Sequence, residues 1–391
     1  MVTWHQRRLS GVLSERDDRG HPDLQVLSVY RDLGVVPKAD RSDNYNKTPE
    51  DLTSYKRVRV GDVVINKMKA WSGSIALSDF DGIVSGDYMV CEITAPVEPR
   101  FLHHLLRAKP VVSQIASVST GIRPGQWRLY WDDLHDVKIA LPPLGEQRAI
   151  AEYLDTQMRT LSDLSAAIER RASVIQERMM SALSLTLGSS GEGVRLKHLA
   201  LANEVSLSED TPPDTRFRYV DISSVDSWGR IMPTGEVTFE ASPSRARRLA
   251  RPGDIVISTV RTYLRAIAQV AAPAEDLVFS TGFAVLSPRP SVEPRYLRWA
   301  LQSNVFLDEV VARSVGINYP SINVDDLMDI RVAAPTQDKQ VEIANRFDRL
   351  SGAVRGVAES TEGELAVLAE RRQALITAAV TGQIEITGVA A

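Results

Sequence analysis

Four blocks of this sequence occur twice, in the same order and at nearly constant spacing. Val60-Gly61-Asp62-Val63-Val64-Ile65 returns as Pro252-Gly253-Asp254-Ile255-Val256-Ile257, an offset of 192 residues. Val97-Glu98-Pro99-Arg100-Phe101-Leu102 returns as Val292-Glu293-Pro294-Arg295-Tyr296-Leu297 at 195, and Asp132-Asp133-Leu134-His135-Asp136-Val137 as Asp325-Asp326-Leu327-Met328-Asp329-Ile330 at 193. Gln147 and Asp155 share that last offset with Gln340 and Asp348. The chain is therefore an internal duplication, and two copies of one plan favour a pseudo-symmetric object.

Each half divides again. Residues 1–142 and 191–335 carry short β-rich runs such as Asp62-Val63-Val64-Ile65 and Asp254-Ile255-Val256-Ile257, broken by Gly, Pro and Asp turn signals. Each also holds one helical stretch, Phe101 to Val112 and Tyr296 to Val311, preceded by a proline suited to a helix start. These segments read as α+β globular domains. Residues 143–190 and 336–391 are dominated by long proline-free runs. In the first, Leu154, Met158, Leu161, Ser165, Ile168, Ala172, Ile175, Met179 and Ala182 alternate spacings of four and three, a heptad seam. Phe347, Ser351, Val354, Ala358, Thr361, Leu365, Leu368, Arg372 and Leu375 form the rougher second seam, beside Gly352, Gly356 and Gly363. Gly188 to Gly193 ends the first helix in a linker. Two long helices with apolar stripes in one chain are expected to pair.

Chemistry is scarce. No phosphate-binding or dinucleotide glycine motif occurs, nor the Asn/Asp-Pro-Pro-aromatic tetrapeptide of amino-methyltransferases. Of a nuclease site, the second acid is missing after Asp62, where Asn66-Lys67-Met68-Lys69 follows, and both acid and lysine are missing after Asp254, so the Gly-Asp pairs read as turns before a strand. Asp132-Asp133 and Asp325-Asp326 read as helix-capping residues, and His103-His104 as a surface and groove feature. The single cysteine, Cys91, excludes an intrachain disulfide framework and a Cys-based zinc site. No signal peptide or bilayer-spanning stretch is apparent, so the expected setting is cytoplasmic, with no membrane contact. No catalytic, cofactor-binding or metal-ligating residue is assigned.

What the chain does offer is basic and aromatic. The net charge is −4, with 46 basic against 50 acidic residues, which argues against coating nucleic acid by bulk charge but permits a local basic surface. Lys56, Arg57, Arg59, Lys67 and Lys69 crowd the stretch from Tyr55 to Trp71. Arg245, Arg247, Arg248, Arg251, Arg261 and Arg265 crowd the corresponding stretch of the second half. A loop from Thr120 to Arg128 carries Arg123 and Gln126, and its counterpart, Val315 to Asn323, carries Asn318 and Tyr319. Arg, Gln and Asn can bond two base-edge atoms at once, while Lys and Arg neutralise phosphates. The candidate DNA-binding residues are Lys67, Lys69, Trp71, Arg123, Gln126 and Arg128 in the first half. In the second they are Arg245, Arg247, Arg248, Arg261, Tyr263, Arg265, Asn318 and Tyr319.

Leu141-Pro142-Pro143-Leu144-Gly145-Glu146-Gln147-Arg148-Ala149-Ile150-Ala151-Glu152-Tyr153-Leu154-Asp155 resembles the start of the conserved helix in specificity subunits of type I restriction–modification systems. Glu370-Arg371-Arg372-Gln373-Ala374-Leu375-Ile376-Thr377-Ala378-Ala379-Val380-Thr381-Gly382-Gln383-Ile384 is similar to the end of the second such helix. Gly61 to Trp71, with Ile83-Val84-Ser85-Gly86-Asp87-Tyr88, resembles a common target-recognition-domain pattern of that family. The second helix departs from it at its start, where Ala334-Pro335-Thr336-Gln337 has no double proline.

The resemblance implies two target-recognition domains (1–142 and 191–335), each reading one half of a split double-stranded DNA target. It implies two conserved spacer helices (143–190 and 336–391) that pair antiparallel, separate the domains and bind two modification (methyltransferase) subunits. Those partners would bring S-adenosylmethionine, with no cofactor in this chain, and translocating restriction subunits would join for cleavage. On this view the chain is not itself an enzyme. The alternatives are a stand-alone nuclease or methyltransferase, which would need a motif not found, and a coiled-coil protein scaffold, which leaves the duplicated basic stretches unexplained.

Overall fold

A computed structural model describes residues 4–31, 33–40, 48–121, 127–189, 193–226, 228–316 and 319–386. The fold is α+β, and the duplication is structural as well as sequential. The chain forms two compact units, one of residues 1–168 with 362–391 and the other of residues 169–361. Each long helix, Leu144–Gly188 and Gln337–Val380, thus contributes one part to each unit.

Each unit is built on the same four-stranded antiparallel sheet. In unit 1 the strand order is Leu13–Glu15, Tyr88–Ile93, Val63–Asn66, Ile75–Leu77. In unit 2 it is Ala200–Ala202, Phe283–Pro288, Ile255–Ser258, Ile267–Gln269. The register is shared, with Val64 facing Val90 and Val256 facing Val285. The central strand of each sheet is buried on both faces, hence its unbroken apolar run. The repeated Gly-Asp pair is the turn that launches this strand. Gly61 (φ +90°) and Gly253 (φ +96°) take the left-handed conformation that suits glycine. Asp62 and Asp254 then accept the backbone N–H of Arg59 and Arg251, each at 2.7 Å.

The expected single helical stretch is two helices in each half. Pro99–Arg107 is followed by Lys109–Val118, and Pro294–Gln302 by Asn304–Arg313. Ala108 and Ser303 are extended between them. Pro110 sits in the first turn of its helix, where its missing N–H costs little, and Ser303 caps its own by accepting from Phe306 N–H.

In unit 1, Ile150, Ala151 and Leu154 from the start of the first long helix share a core with Ile376, Ala379 and Val380 from the end of the second. In unit 2, Met179, Leu183 and Leu187 from the end of the first share one with Ile343, Ala344, Phe347 and Val354 from the start of the second. The helices therefore run antiparallel. Every residue of both heptad seams is buried or half-buried. Gly352, Gly356 and Gly363 lie on the exposed side of an uninterrupted helix.

A glutamine fastens each helix start to its domain. Gln147 accepts the Glu98 N–H at 2.9 Å and donates to the Pro142 carbonyl at 2.8 Å. Gln340 does the same with Glu293 (2.9 Å) and Pro335 (2.8 Å). Both side chains are buried, so each satisfies a donor and an acceptor that would otherwise be stranded without water.

Candidate nucleic-acid interface

In unit 1 the turn after Val63–Asn66 meets the segment closing the next loop. The Leu129 N–H donates to the Lys67 carbonyl at 3.0 Å, and Thr120 pairs with Arg128 across the loop base. Unit 2 repeats both links, with the Ile322 N–H on the Thr259 carbonyl at 2.9 Å and Val315 paired with Ser321. The two segments singled out in each half are thus brought together by equivalent backbone bonds.

On this frame in unit 1 stand Lys67, Lys69, Trp71 and Arg128. Trp71 packs edge-on against Trp127 with ring centroids 5.6 Å apart, and its indole N–H donates to the Met68 carbonyl. Arg128 reaches Asp87 at 3.0 Å and lies 5.9 Å from the Tyr130 ring centroid. The Lys67 ammonium is pushed below the usual lysine range, first by burial and then by the positive charge of Lys56. Arg123 and Gln126 lie outside the described residues.

Two further cations of this stretch are ion-paired. Lys56 is buried and paired with Glu15 at 3.2 Å, and Arg59 with Asp18 at 3.1 Å. Lys56 is thus a core residue of the domain and not part of a basic surface, because it is buried against Glu15 on the edge strand of the four-stranded sheet.

In unit 2, Arg261, Tyr263 and Tyr319 are exposed on the equivalent loops, with Arg261 stacked over Tyr319. Arg265 donates to Asn304 at 3.2 Å. Arg245, Arg247 and Arg248 lie on or beside the strand Ala246–Leu249 of a second sheet. Arg247 stacks on Phe239 with its guanidinium 4.9 Å from the centroid, and Arg248 donates to Ser206 at 3.3 Å. The backbone joins this strand to the loop: Thr281 N–H donates to the Arg245 carbonyl, and Thr259 N–H to the Gly282 carbonyl. Asn318 lies outside the described residues.

Two sequence readings change. Asp132-Asp133 and Asp325-Asp326 fall in the first turn of the short helices Trp131–Leu134 and Val324–Met328, not at the cap. The cap in the second half is Asn323, which accepts the Asp326 N–H at 2.7 Å. His103-His104 is not a surface feature. His104 is buried and meets Asp155 at 2.9 Å, while His103 Nδ1 accepts the Leu77 N–H at 3.1 Å. Asp155 also accepts from Arg100 at 2.9 Å, and its equivalent Asp348 accepts from Arg295, Arg298 and Trp299. The offset of 193 had marked both aspartates, but their partners lie about 50 residues away and carry no local pattern.

Burial, aided by the Arg107 charge, holds the His103 imidazole down to about 3. An unfolded histidine titrates near 6.5, so the unfolded chain takes up a proton on acidification that the folded domain refuses. The His103 contribution is complete above about pH 6.5 and is lost progressively as pH falls towards 3, at up to ~1.4 kcal/mol per pH unit. Urea unfolding between pH 7 and 4 should show this slope, and His103→Gln should flatten it. An unaltered slope in the variant would remove His103 from the account.

The chain is similar to specificity subunits of type I restriction enzymes in part of its sequence and in its fold. Residues 1–171 match the type I restriction modification DNA specificity domain. The specificity subunit of type I restriction enzyme EcoDI of Escherichia coli is 23% identical over 362 residues, 81% of this chain and 77% of that protein. The EcoBI specificity subunit of Escherichia coli is 22% identical over 280 residues, which cover 64% of this chain and 59% of that relative's length. A chain solved in work on complex assembly and conformational transition of the type I R-M system has the same fold, with a TM-score of 0.70 at 20% identity over 98% of this chain and 99% of the other. No helix among the described residues is long and apolar enough to cross a membrane.

Proposed function

We propose, from the premise that this chain belongs to the specificity subunits of type I restriction–modification systems, that it reads a bipartite double-stranded DNA target, one half-site per domain. The observation that carries this reading is the doubled frame. The Lys67–Leu129 and Thr259–Ile322 links put a cation- and aromatic-bearing turn beside a second loop at the same place in both halves. The side chains on that frame have diverged, with Lys69, Trp71 and Arg128 on one copy and Arg261, Tyr263 and Tyr319 on the other. A conserved frame with different side chains suits two readers of different sequences. An overall negative chain with local basic loops also suits binding that is confined to those loops.

In this reading the chain performs no chemistry. Two modification subunits dock on its long helices and supply S-adenosylmethionine and the methyl transfer to adenine, and restriction subunits join for cleavage. The helices offer equivalent apolar positions for two like partners. Val174 and Val367 share the offset of 193 and are 43% and 63% exposed.

The test is methyl transfer from S-adenosylmethionine to DNA by the purified chain, alone and with its methyltransferase. The chain alone should transfer nothing, and the complex should methylate DNA at a defined motif with an affinity that falls steeply with salt. Methyl transfer by the chain alone would refute the non-catalytic role.

A further inference from the structure

We propose that Arg261 is a specificity-determining residue that reads a guanine in the half-site of the second domain, with Tyr319 as its positioning residue. The inference rests on the DNA-recognition reading above and goes further by giving one side chain a base.

Three observations single out Arg261. Its backbone is left-handed, with φ +53°, in a residue that is not glycine, a conformation that Arg265 shares without a stacked ring among the described residues. That conformation is unfavourable for an ordinary residue, and residues held in it concentrate at functional sites. The backbone is fixed on both sides: Arg261 N–H donates to the Pro320 carbonyl at 2.8 Å, and Val260 pairs with Ser321. Finally, the guanidinium lies over the Tyr319 ring, 4.8 Å from its centroid, and Tyr319 is itself 60% exposed.

Stacking holds the plane of a guanidinium while leaving its N–H edge for another acceptor. Other arginines of this unit spend that edge on carboxylates: Arg218 on Asp276 at 2.5 Å, Arg230 on Asp226 and Arg313 on Glu309, both at 3.1 Å. Arg261 has no carboxylate partner among the described residues. A planar fork on an exposed aromatic matches O6 and N7 of guanine in the major groove, the commonest base-specific contact of arginine. A phosphate needs only charge, which does not require a stacked ring or a left-handed backbone. Among the described residues, the first domain does not have this pair at the equivalent position. Lys69 stands at the equivalent position with φ −130°, so the guanine is assigned to one half-site only.

The experiment uses the chain with its methyltransferase in a host without competing methylation, and reads the methylated motif by sequencing. Arg261→Ala and Arg261→Gly are compared with wild type; glycine relieves the left-handed backbone, so its phenotype does not arise from misfolding. Both variants should lose one guanine from one half of the motif and keep the other half intact. In binding, replacing that guanine by 7-deazaguanine should weaken the wild-type complex roughly 5- to 100-fold and leave the variants unaffected. Tyr319→Leu should blur the same position, and Tyr319→Phe should not. If every base of the motif persists while affinity falls on all sequences and the salt slope drops by about one, Arg261 is a phosphate contact and the proposal is overturned. A wild-type complex that methylates no defined motif would instead overturn the DNA-recognition reading itself.

Discussion

Asp348→Ala should destabilise the second domain by about 3 kcal/mol, the largest single effect expected outside the apolar core. Asp348 lies about three turns into the second long helix, next to the buried Phe347, and accepts from Arg295 at 3.0 Å, Arg298 at 2.7 Å and Trp299 at 2.9 Å. The Arg298 side chain is 14% exposed and stacks on the Trp299 ring at 4.1 Å. Burial pulls Arg298 below the usual arginine range, and Asp348 is the main charge opposing that pull. Removing one partner of a buried pair leaves the other charge uncompensated, typically ~3–5 kcal/mol. The low end applies because Asp348 is 31% exposed. Asp155→Ala should cost less, since its arginine partner, Arg100, is 50% exposed. Chemical denaturation of both variants checks the order. Equal and small losses would mean that these aspartates do not fasten the helices to their domains.

On the docking proposed above, Val174→Asp with Val367→Asp should abolish adenine methylation by the assembled complex, while each single change should remove one of the two proposed methyltransferase subunits. The two valines face solvent at equivalent positions of the long helices. A carboxylate forced into an apolar contact has to be desolvated without a partner, which is costly. Native mass spectrometry of the complex reads the stoichiometry directly. Full occupancy in the double variant would move the docking surface elsewhere on the chain.

The features legible in the sequence were those with a period or a repeat. The heptad seam from Leu154 to Ala182 is a linear pattern, and every member proves buried or half-buried. The Gly61-Asp62 and Gly253-Asp254 turns were legible because a tight turn selects local residue types. The helix–domain fastening was not. The partners of Asp155 and Asp348 lie on another element, and an ion pair across such a distance leaves no local signature. The same limitation applies to Lys56, which composition assigned to a basic stretch and packing assigned to Glu15. The break at Ala108 was written in Pro110, because a proline inside one continuous helix would lose a backbone hydrogen bond and clash with the carbonyl four residues before it, whereas the break at Ser303 depends on a side-chain cap. Among the candidate base-reading residues, sequence chose Arg261 and Tyr319 by type, and only the three-dimensional structure pairs them.

The central claim is that two similar domains read two independent half-sites. Exchange of residues 1–142 for the matching domain of a relative with a different target tests it most directly, with the methylated motif of the resulting complex read by sequencing. The account predicts that one half of the motif changes to the donor's and the other half stays as in wild type. A motif in which both halves change, or neither does, would contradict it.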